Sequence, residues 1–435
     1  MHQHLSVLDI GTWTVKALVV ELQETGNAAN GDAPSRVTIL GRGRARHPGS
    51  LAGGGYGAPP RQPCSDSPAP VAVPVDDPSA LAVSCEKALR SAEDATETTS
   101  GHQIVPDAAA IAVPTAWLCG ATGSGGIARS ALETGITPEE CLEPLARAGR
   151  HALRNLGRVT GPGAWELLDA TLVTFHVNGN PVTDPVGFRG HSLAATVFVV
   201  AAPGPYLDML RQVADALQLN PPHLVAEPLA LAAAVADDGL IVQAGAHTTG
   251  LTLSRRGAPL ALGSIGHGGT GWTQALSDAF GLSLPRAEAL KCAYSAGKLP
   301  ARHVPAVQKA LAAPLNAWVA ALIARLRSQS WDDPLPPRIY LCGGASALPG
   351  AQEALARARW LDTLPFPHTP ETRLWDGSRL SQAVLSQAKD RVLVDRTEPR
   401  WQLDGVTTLA LAAWATRRRG IETPDGMLRA TLGIE

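Results

Sequence analysis

Charge is the first thing this chain lacks. Only 17% of its 435 residues are Asp, Glu, Lys or Arg, and 37 basic side chains nearly balance 39 acidic ones. No extended field of either sign therefore exists to hold nucleic acid or an anionic bilayer, and partners have to be recognised locally. Cysteine is scarce too. The six residues Cys64, Cys85, Cys119, Cys141, Cys292 and Cys342 lie far apart with no CxxC spacing, which argues against a zinc site and against a disulfide framework and suits a reducing cytoplasm. The longest apolar run, around Leu193 to Pro203, falls far short of the roughly 20 residues that cross a bilayer, so no membrane span is expected. The N-terminus meets Asp9 without a basic n-region, and no signal peptide is expected there. Only six lysines occur, yet two of them, Lys16 and Lys291, fall inside motifs discussed below.

The pattern that is present alternates strands and helices. Residues Leu5 to Glu21 read as strand, Gly-containing turn and strand. From Gly41 to Pro70 the composition shifts to Gly, Pro, Arg and Ser, which predicts a surface loop or disordered insertion. Apolar residues at helical spacing follow between Pro78 and Ala95, then a buried-strand run from Ala108 to Pro114. In Gly135-Ile-Thr-Pro-Glu-Glu140, Thr137 and Glu140 form a capping box that opens a helix, with Pro138 at its first position. Strands are predicted at Leu172 to Val182, with an Asn178-Gly179 turn, and at Leu193 to Ala202, and an amphipathic helix from Pro205 to Leu219. Leu240 to Leu253 then repeats the opening strand-turn-strand pattern. Two such halves predict two related α/β domains facing each other across a cleft.

Four motifs carry chemistry. In Asp9-Ile-Gly-Thr-Trp-Thr-Val-Lys16 a carboxylate at a strand end can hold hydrated magnesium. The amides of Gly11, Thr12, Trp13 and Thr14 can cradle phosphate, and Lys16 can reach back to it; an ordinary hairpin with an Asp in its turn fits the same octapeptide. Gln243-Ala-Gly-Ala-His-Thr-Thr-Gly250 has the same turn architecture, with Gly245, His247, Thr248 and Thr249 in place to close on a terminal phosphate; alone, it also reads as an ordinary hairpin. Leu341-Cys-Gly-Gly-Ala-Ser346 ends a buried strand in Gly343 and Gly344, letting a flat base or a phosphate approach the backbone. Glu288, Lys291 and Ser295 share one helical face, where they can hydrogen-bond ribose hydroxyls or form a plain solvated ion pair.

The order of these motifs resembles the actin, sugar-kinase and heat-shock-chaperone superfamily. Segments between them, Gly135 to Glu140, Phe175 to Gly190, Leu193 to Val197 and Val225 to Ala232, with Gly266 to Leu276 and Ala287 to Tyr294, resemble the bacterial cell-division protein FtsA. The resemblance implies an actin-like fold, two related α/β domains around a nucleotide cleft with an FtsA-type inserted subdomain. It divides the chain into domain 1A at 1–102, with a disordered loop at 41–74, an insert at 103–190, domain 1A again at 191–237, domain 2A at 238–290, domain 2B at 291–339, domain 2A at 340–385 and a return to 1A with the tail at 386–435. It implies ATP and magnesium, the ion on Asp9, phosphates on Thr12 and Lys16, the terminal phosphate at Gly245 and Thr248, ribose on Glu288 and Lys291, adenine at Gly343 and Gly344 with Ser346 beside them, and Glu227 orienting water.

The sequence departs from that pattern in the second turn, where active relatives begin and end with acids and this chain has Gln243 and Gly250. Hydrolysis needs a rigid metal shell and a polarised water, so slow or absent turnover is expected, and Gln243→Asp is expected to raise phosphate release. The implied role is a filament-forming adaptor linking FtsZ polymers or other divisome proteins at the inner face of the cell membrane. The alternatives are a PilM-type scaffold of a pilus or secretion system and a small-molecule kinase. Met427, Leu428 and Leu432 share a face that allows peripheral membrane contact at most.

Overall fold

The computed structural model describes residues 2–24, 35–47, 78–131, 133–160, 163–219, 221–329, 331, 333–376, 391–398, 403–415 and 423–434. The first sheet is built from β1 (His2–Ile10), β2 (Thr14–Glu24), β3 (Ser35–Arg46), β4 (Ala109–Val113), β9 (His223–Ala226) and β15 (Arg391–Asp395), in the order β15-β3-β2-β1-β4-β9. The strands β1 to β3 form an antiparallel meander, and β4 and β9 add in parallel. The second sheet contains β10 (Gly239–Ala244), β11 (Thr249–Arg255), β12 (Ala258–Ile265), β13 (Arg338–Cys342) and β14 (Glu371–Leu374), ordered β12-β11-β10-β13-β14. Its meander and two parallel additions reproduce β3-β2-β1-β4-β9 strand for strand. The echo between Leu5–Glu21 and Leu240–Leu253 is thus the visible part of a duplicated domain.

Two sequence expectations need correction here. Gly41 to Arg46, expected to begin a loop, is the second half of β3. Its glycines serve packing: a Cβ on Gly41 would lie 1.9 Å from the carbonyl oxygen of Ala92, and one on Gly43 1.8 Å from that of Ala88, so only glycine lets helix α1 (Pro78–Ser100) lie against the strand. The rest of the expected loop, from 48 to 74, lies outside the described residues. The insert also shifts. Its sheet, ordered β5-β8-β6-β7, comprises β5 (Cys119–Ala128), β6 (Trp165–Val177), β7 (Asn180–Val182) and β8 (Ser192–Pro203), under helix α2 (Leu142–Thr160). It therefore spans 119–203, not 103–190, because β4 pairs with β1 in the first sheet and β8 is the insert's central strand. A buried apolar run announces a strand without saying which sheet it joins.

Helix α3 (Gly204–Ala216) returns to the first core. Helix α4 (Glu227–Val235) is apolar on every side but for its first residue and crosses to the second domain, whose core is covered by α5 (Gly269–Phe280), α6 (Leu284–Ser295), α7 (Val304–Arg327) and α8 (Ala351–Ala356). Among the described residues one helix, Ala301–Arg327, is long and apolar enough by composition to cross a membrane. Its Val307, Leu311, Leu315, Trp318 and Leu322 are buried in the second core, which accounts for that composition. Helix α9 (Val406–Ala415) packs along α4 in the first core. The last helix, α10 (Pro424–Leu432), docks on the insert: Leu428 is fully buried there, Arg429 Nη1 pairs with Asp169 Oδ1 at 2.5 Å, and Asp425 accepts the Leu172 amide at 2.7 Å. The face formed by Met427, Leu428 and Leu432, read as allowing peripheral membrane contact at most, packs against the insert.

Candidate functional site

Strand register builds the first half of the site. In the β1–β2 hairpin Asp9 stands directly across from Lys16, which brings Lys16 Nζ to 3.1 Å from Asp9 Oδ2. Thr408 on α9 donates to the same oxygen at 3.2 Å. Gly11 turns tightly; a Cβ there would meet Thr14 O at 3.0 Å, and Gly11 O accepts from His47 Nε2 at 2.8 Å. Burial holds the His47 pKa below its ordinary value against that bond. The β10–β11 hairpin turns in the same way, with the Gly245 amide on Thr248 O at 2.9 Å. A Cβ on Gly245 would approach Thr248 O to 2.8 Å. The two turns meet across the cleft, where His247 Nδ1 and Thr12 Oγ1 lie 3.0 Å apart. Burial lowers the His247 pKa as well.

Glu227, the first residue of α4, forms the floor. One carboxylate oxygen accepts the Thr115 amide at 2.9 Å and its hydroxyl at 3.0 Å; the other accepts the Gln243 side-chain amide, which also donates to Thr407 Oγ1 at 3.0 Å. Burial and the neighbouring Asp9 charge push the Glu227 carboxyl up to about 7, in spite of these hydrogen bonds. Glu227 thus reaches the cleft, as expected, but both of its oxygens already serve protein donors. Gln243 is more than a missing acid: it ties the second hairpin to α4 and α9. An aspartate at 243 would lose those donors and face Glu227 with a second carboxylate, so the expected simple gain of phosphate release does not fit this geometry.

On the opposite wall α6 presents Glu288, Lys291 and Ser295 on one face. Lys291 Nζ lies 2.7 Å from Glu288 Oε2 and donates to Gly269 O at 2.9 Å and Thr273 Oγ1 at 2.8 Å. Burial raises the Glu288 pKa, but Lys291 and the Thr273 and Cys292 hydrogen bonds outweigh it and hold the group below its ordinary value. Gly343 ends β13 at φ +91°, where a Cβ would lie 2.5 Å from Ala244 O, whereas Gly344 is open to the cleft. Three expected residues do not line the cleft. His247 bridges the turns. Thr249 is buried, donating to His267 O at 2.7 Å and accepting Trp318 Nε1 at 3.0 Å. Ser346 is buried and caps Gly343 O at 2.6 Å.

The remaining expected residues, Asp9, Gly11, Thr12, Trp13, Thr14, Lys16, Glu227, Gly245, Thr248, Glu288, Lys291, Ser295, Gly343 and Gly344, line one cleft of about 540 Å³, a volume ordinary for a cofactor site. Sequence reasoning missed Arg44 and Arg46, which line its mouth from β3. Arg44 pairs with Asp404, and the Arg46 guanidinium stands 5.9 Å over the Trp13 ring. The alternation Gly41-Arg-Gly-Arg-Ala-Arg46 carries the period-two signal that would have placed them on a strand.

No protein-family model and no curated protein matches the sequence. Among solved structures, a chain of the PilM–PilN type IV pilus biogenesis complex is similar with a TM-score of 0.54 and 18% identity, over 95% of this chain and 99% of that one. The nucleotide-free diol dehydratase-reactivating factor follows with a TM-score of 0.47, 10% identity, and 96% and 100% of the two chains. ADP-bound MreB5 of Spiroplasma citri gives a TM-score of 0.41, 11% identity, and 89% and 97%. With one sheet order built twice around a cleft, and a PilM likeness running nearly end to end, the chain has a two-domain actin-like α/β fold.

Proposed function

We propose that this chain is a nucleotide-binding scaffold in which ATP with magnesium joins the two domains and the closed form assembles with protein partners, with little or no hydrolysis. The opposed turns at Gly11 and Gly245, bridged by His247 and Thr12 with Lys16 beside them, carry this reading. Their amides face phosphates, Lys16 leaves Asp9 for them, Glu288 and Lys291 take ribose, and the open backbone at Gly344 takes the base. Among the described residues no cluster of three His, Cys, Asp or Glu could hold a metal by itself; Asp9 fits a magnesium ion that arrives on the phosphates, where it would neutralise their charge. Slow turnover is supported by Gln243 and Gly250 where acids would complete a metal shell, and by the engaged oxygens of Glu227.

Two finer roles are in view. The FtsA-like segments at 135–140, 175–190 and 225–232 support a divisome adaptor that binds FtsZ polymers at the inner face of the membrane. The full-length likeness to the PilM–PilN complex equally supports a scaffold of pilus or secretion machinery. Calorimetry with ATP and magnesium tests the common reading, and no heat of binding removes it. Co-sedimentation with FtsZ filaments against pull-down by a PilN-type partner then separates the two roles.

A further inference from the structure

A second cleft, of about 770 Å³, lies between the insert and the second sheet. Its floor is where the two sheets touch: a Cβ on Gly120 would lie 2.3 Å from the Phe198 ring and 2.9 Å from Leu262 Cδ2. The insert's wall carries the end of α2 with Asn155 and Arg158, and the hydroxyls of Ser124 and Thr196, 2.9 Å apart. The second domain's wall carries Arg255 from β11, the apolar side chains Leu260 and Leu262 from β12, and Arg325 and Trp331 at and beyond the end of α7.

The cleft is basic in a chain whose net charge is −2. Among the described residues, Arg158, Arg255 and Arg325 line it against a single acid, Asp333. Arg255 meets Asp333 at 2.8 Å, but that carboxylate is 69% exposed, so the pair is weak and exchangeable. Arg325 is built in: a Cβ on Gly263 would come within 2.8 Å of its Nε, which means the guanidinium lies flat on glycine backbone, steadied by Ser328 Oγ at 2.9 Å. Arg158 makes a long hydrogen bond to Asn155 Oδ1, at 3.5 Å, and the exposed Arg150 and Arg154 continue its stripe along α2.

Each bordering strand edge already has a carbonyl engaged by a side chain, which disfavours an added strand. Thr122 O on β5 accepts from Asn155 Nδ2 at 2.9 Å, and Leu262 O on β12 accepts from Gln329 Nε2 at 3.2 Å. Recognition here must run through side chains. A duplex or a bilayer is too broad to enter a concave cleft, and a free inorganic anion would leave Trp331, Leu260 and Leu262 unused. We propose that this cleft binds an acidic peptide segment of a partner protein, its carboxylates on Arg158, Arg255 and Arg325 and an apolar side chain against Trp331 and Leu260.

The test is selection of a phage-displayed dodecapeptide library on the full chain, followed by fluorescence anisotropy with the enriched peptide. Expected are sequences with several Asp or Glu around a Leu, Ile or Phe, whose affinity falls at least about tenfold in the R158E/R325E double variant and falls again as salt rises. Arg158→Ala, on an exposed helix face, gives a smaller loss in the same direction and serves if the double variant melts early. No enrichment, enrichment of neutral or basic peptides, or unchanged binding by variants that keep the wild-type melting temperature overturns the proposal. So does tighter, R158E/R325E-sensitive binding of phosphatidylserine vesicles or of a single-stranded DNA probe. ATP titration of the same variants should be unchanged, which keeps this outcome separate from that of the nucleotide reading.

Discussion

Glu227 departs furthest from the behaviour of its residue type in the cleft. Its carboxyl titrates near 7 in the folded chain against an ordinary 4.5, because burial and Asp9 disfavour the charge more than Thr115 and Gln243 favour it. The folded state therefore holds this proton to higher pH than the unfolded chain does. The resulting stabilisation is complete below about pH 4.5, declines between about 4.5 and 7, and is gone above, on the order of 3–4 kcal/mol in all. Urea unfolding at about pH 5 and about pH 8 should show that decline in the wild type and lack it in Glu227→Gln. Gln243→Asp should destabilise the fold by about 1–3 kcal/mol through lost donors and like charge, read in the same unfolding experiment at neutral pH; unchanged stability would mean that the tie to Glu227 and Thr407 has little energetic weight. Lys16→Ala should weaken ATP by about ten- to a hundredfold in calorimetry while sparing adenosine, since only the phosphates replace its Asp9 partner. That Asp9 and Lys16 belong to one hairpin was legible from the Gly-containing turn between them; their pairing follows from the register the structure shows. Thr115 and Thr407 were not, since they meet Glu227 and Gln243 from 112 and 164 residues away.

Among the elements, the hairpins, the capping box and the buried strands could be read from local pattern. The box is present as expected, with the Thr137 amide on Glu140 Oε2 at 2.9 Å and the Glu140 amide returning to Thr137 Oγ1 at 3.4 Å. What misled was β3, where glycine and arginine imitate a loop composition. There the glycines answer to a helix some 45 residues later in the chain, a constraint that no window around Gly41 contains. Gly43→Ala should cost about 2–4 kcal/mol, seen as a lower melting temperature, because its Cβ would press on helix backbone that cannot rotate away. The same change at Gly157, whose Cβ would meet nothing within 4 Å, should be neutral or slightly stabilising. The docking of α10 was illegible for the opposite reason: Met427, Leu428 and Leu432 make an amphipathic face, but amphipathicity does not say what the face covers.

At the scale of the whole molecule, the duplicated sheet explains why two loose turn motifs make one cleft, and the insert supplies one wall of the second. Replacing 119–203 by a short Gly/Ser linker, together with removal of 423–435, should spare ATP binding in calorimetry and abolish self-assembly in sedimentation; lost binding with retained assembly would reverse that division of labour. One short piece of backbone belongs to both clefts. Pro114, Thr115 and Ala116 line the first, and Leu118, Cys119 and Gly120 the second. The span between is stiff: Thr115 is fixed on Glu227, and Trp117 stacks on Tyr206 with ring centres 4.4 Å apart and planes within 8°. Whatever displaces one end of such a span is felt at the other, so the two occupants are expected to be thermodynamically linked. Linkage is reciprocal: the factor by which the acidic peptide changes the dissociation constant of ATP must equal the factor by which ATP changes that of the peptide. Measured both ways, a shared factor different from one would make the chain a two-input gate, its commitment to a partner readable in its hold on nucleotide.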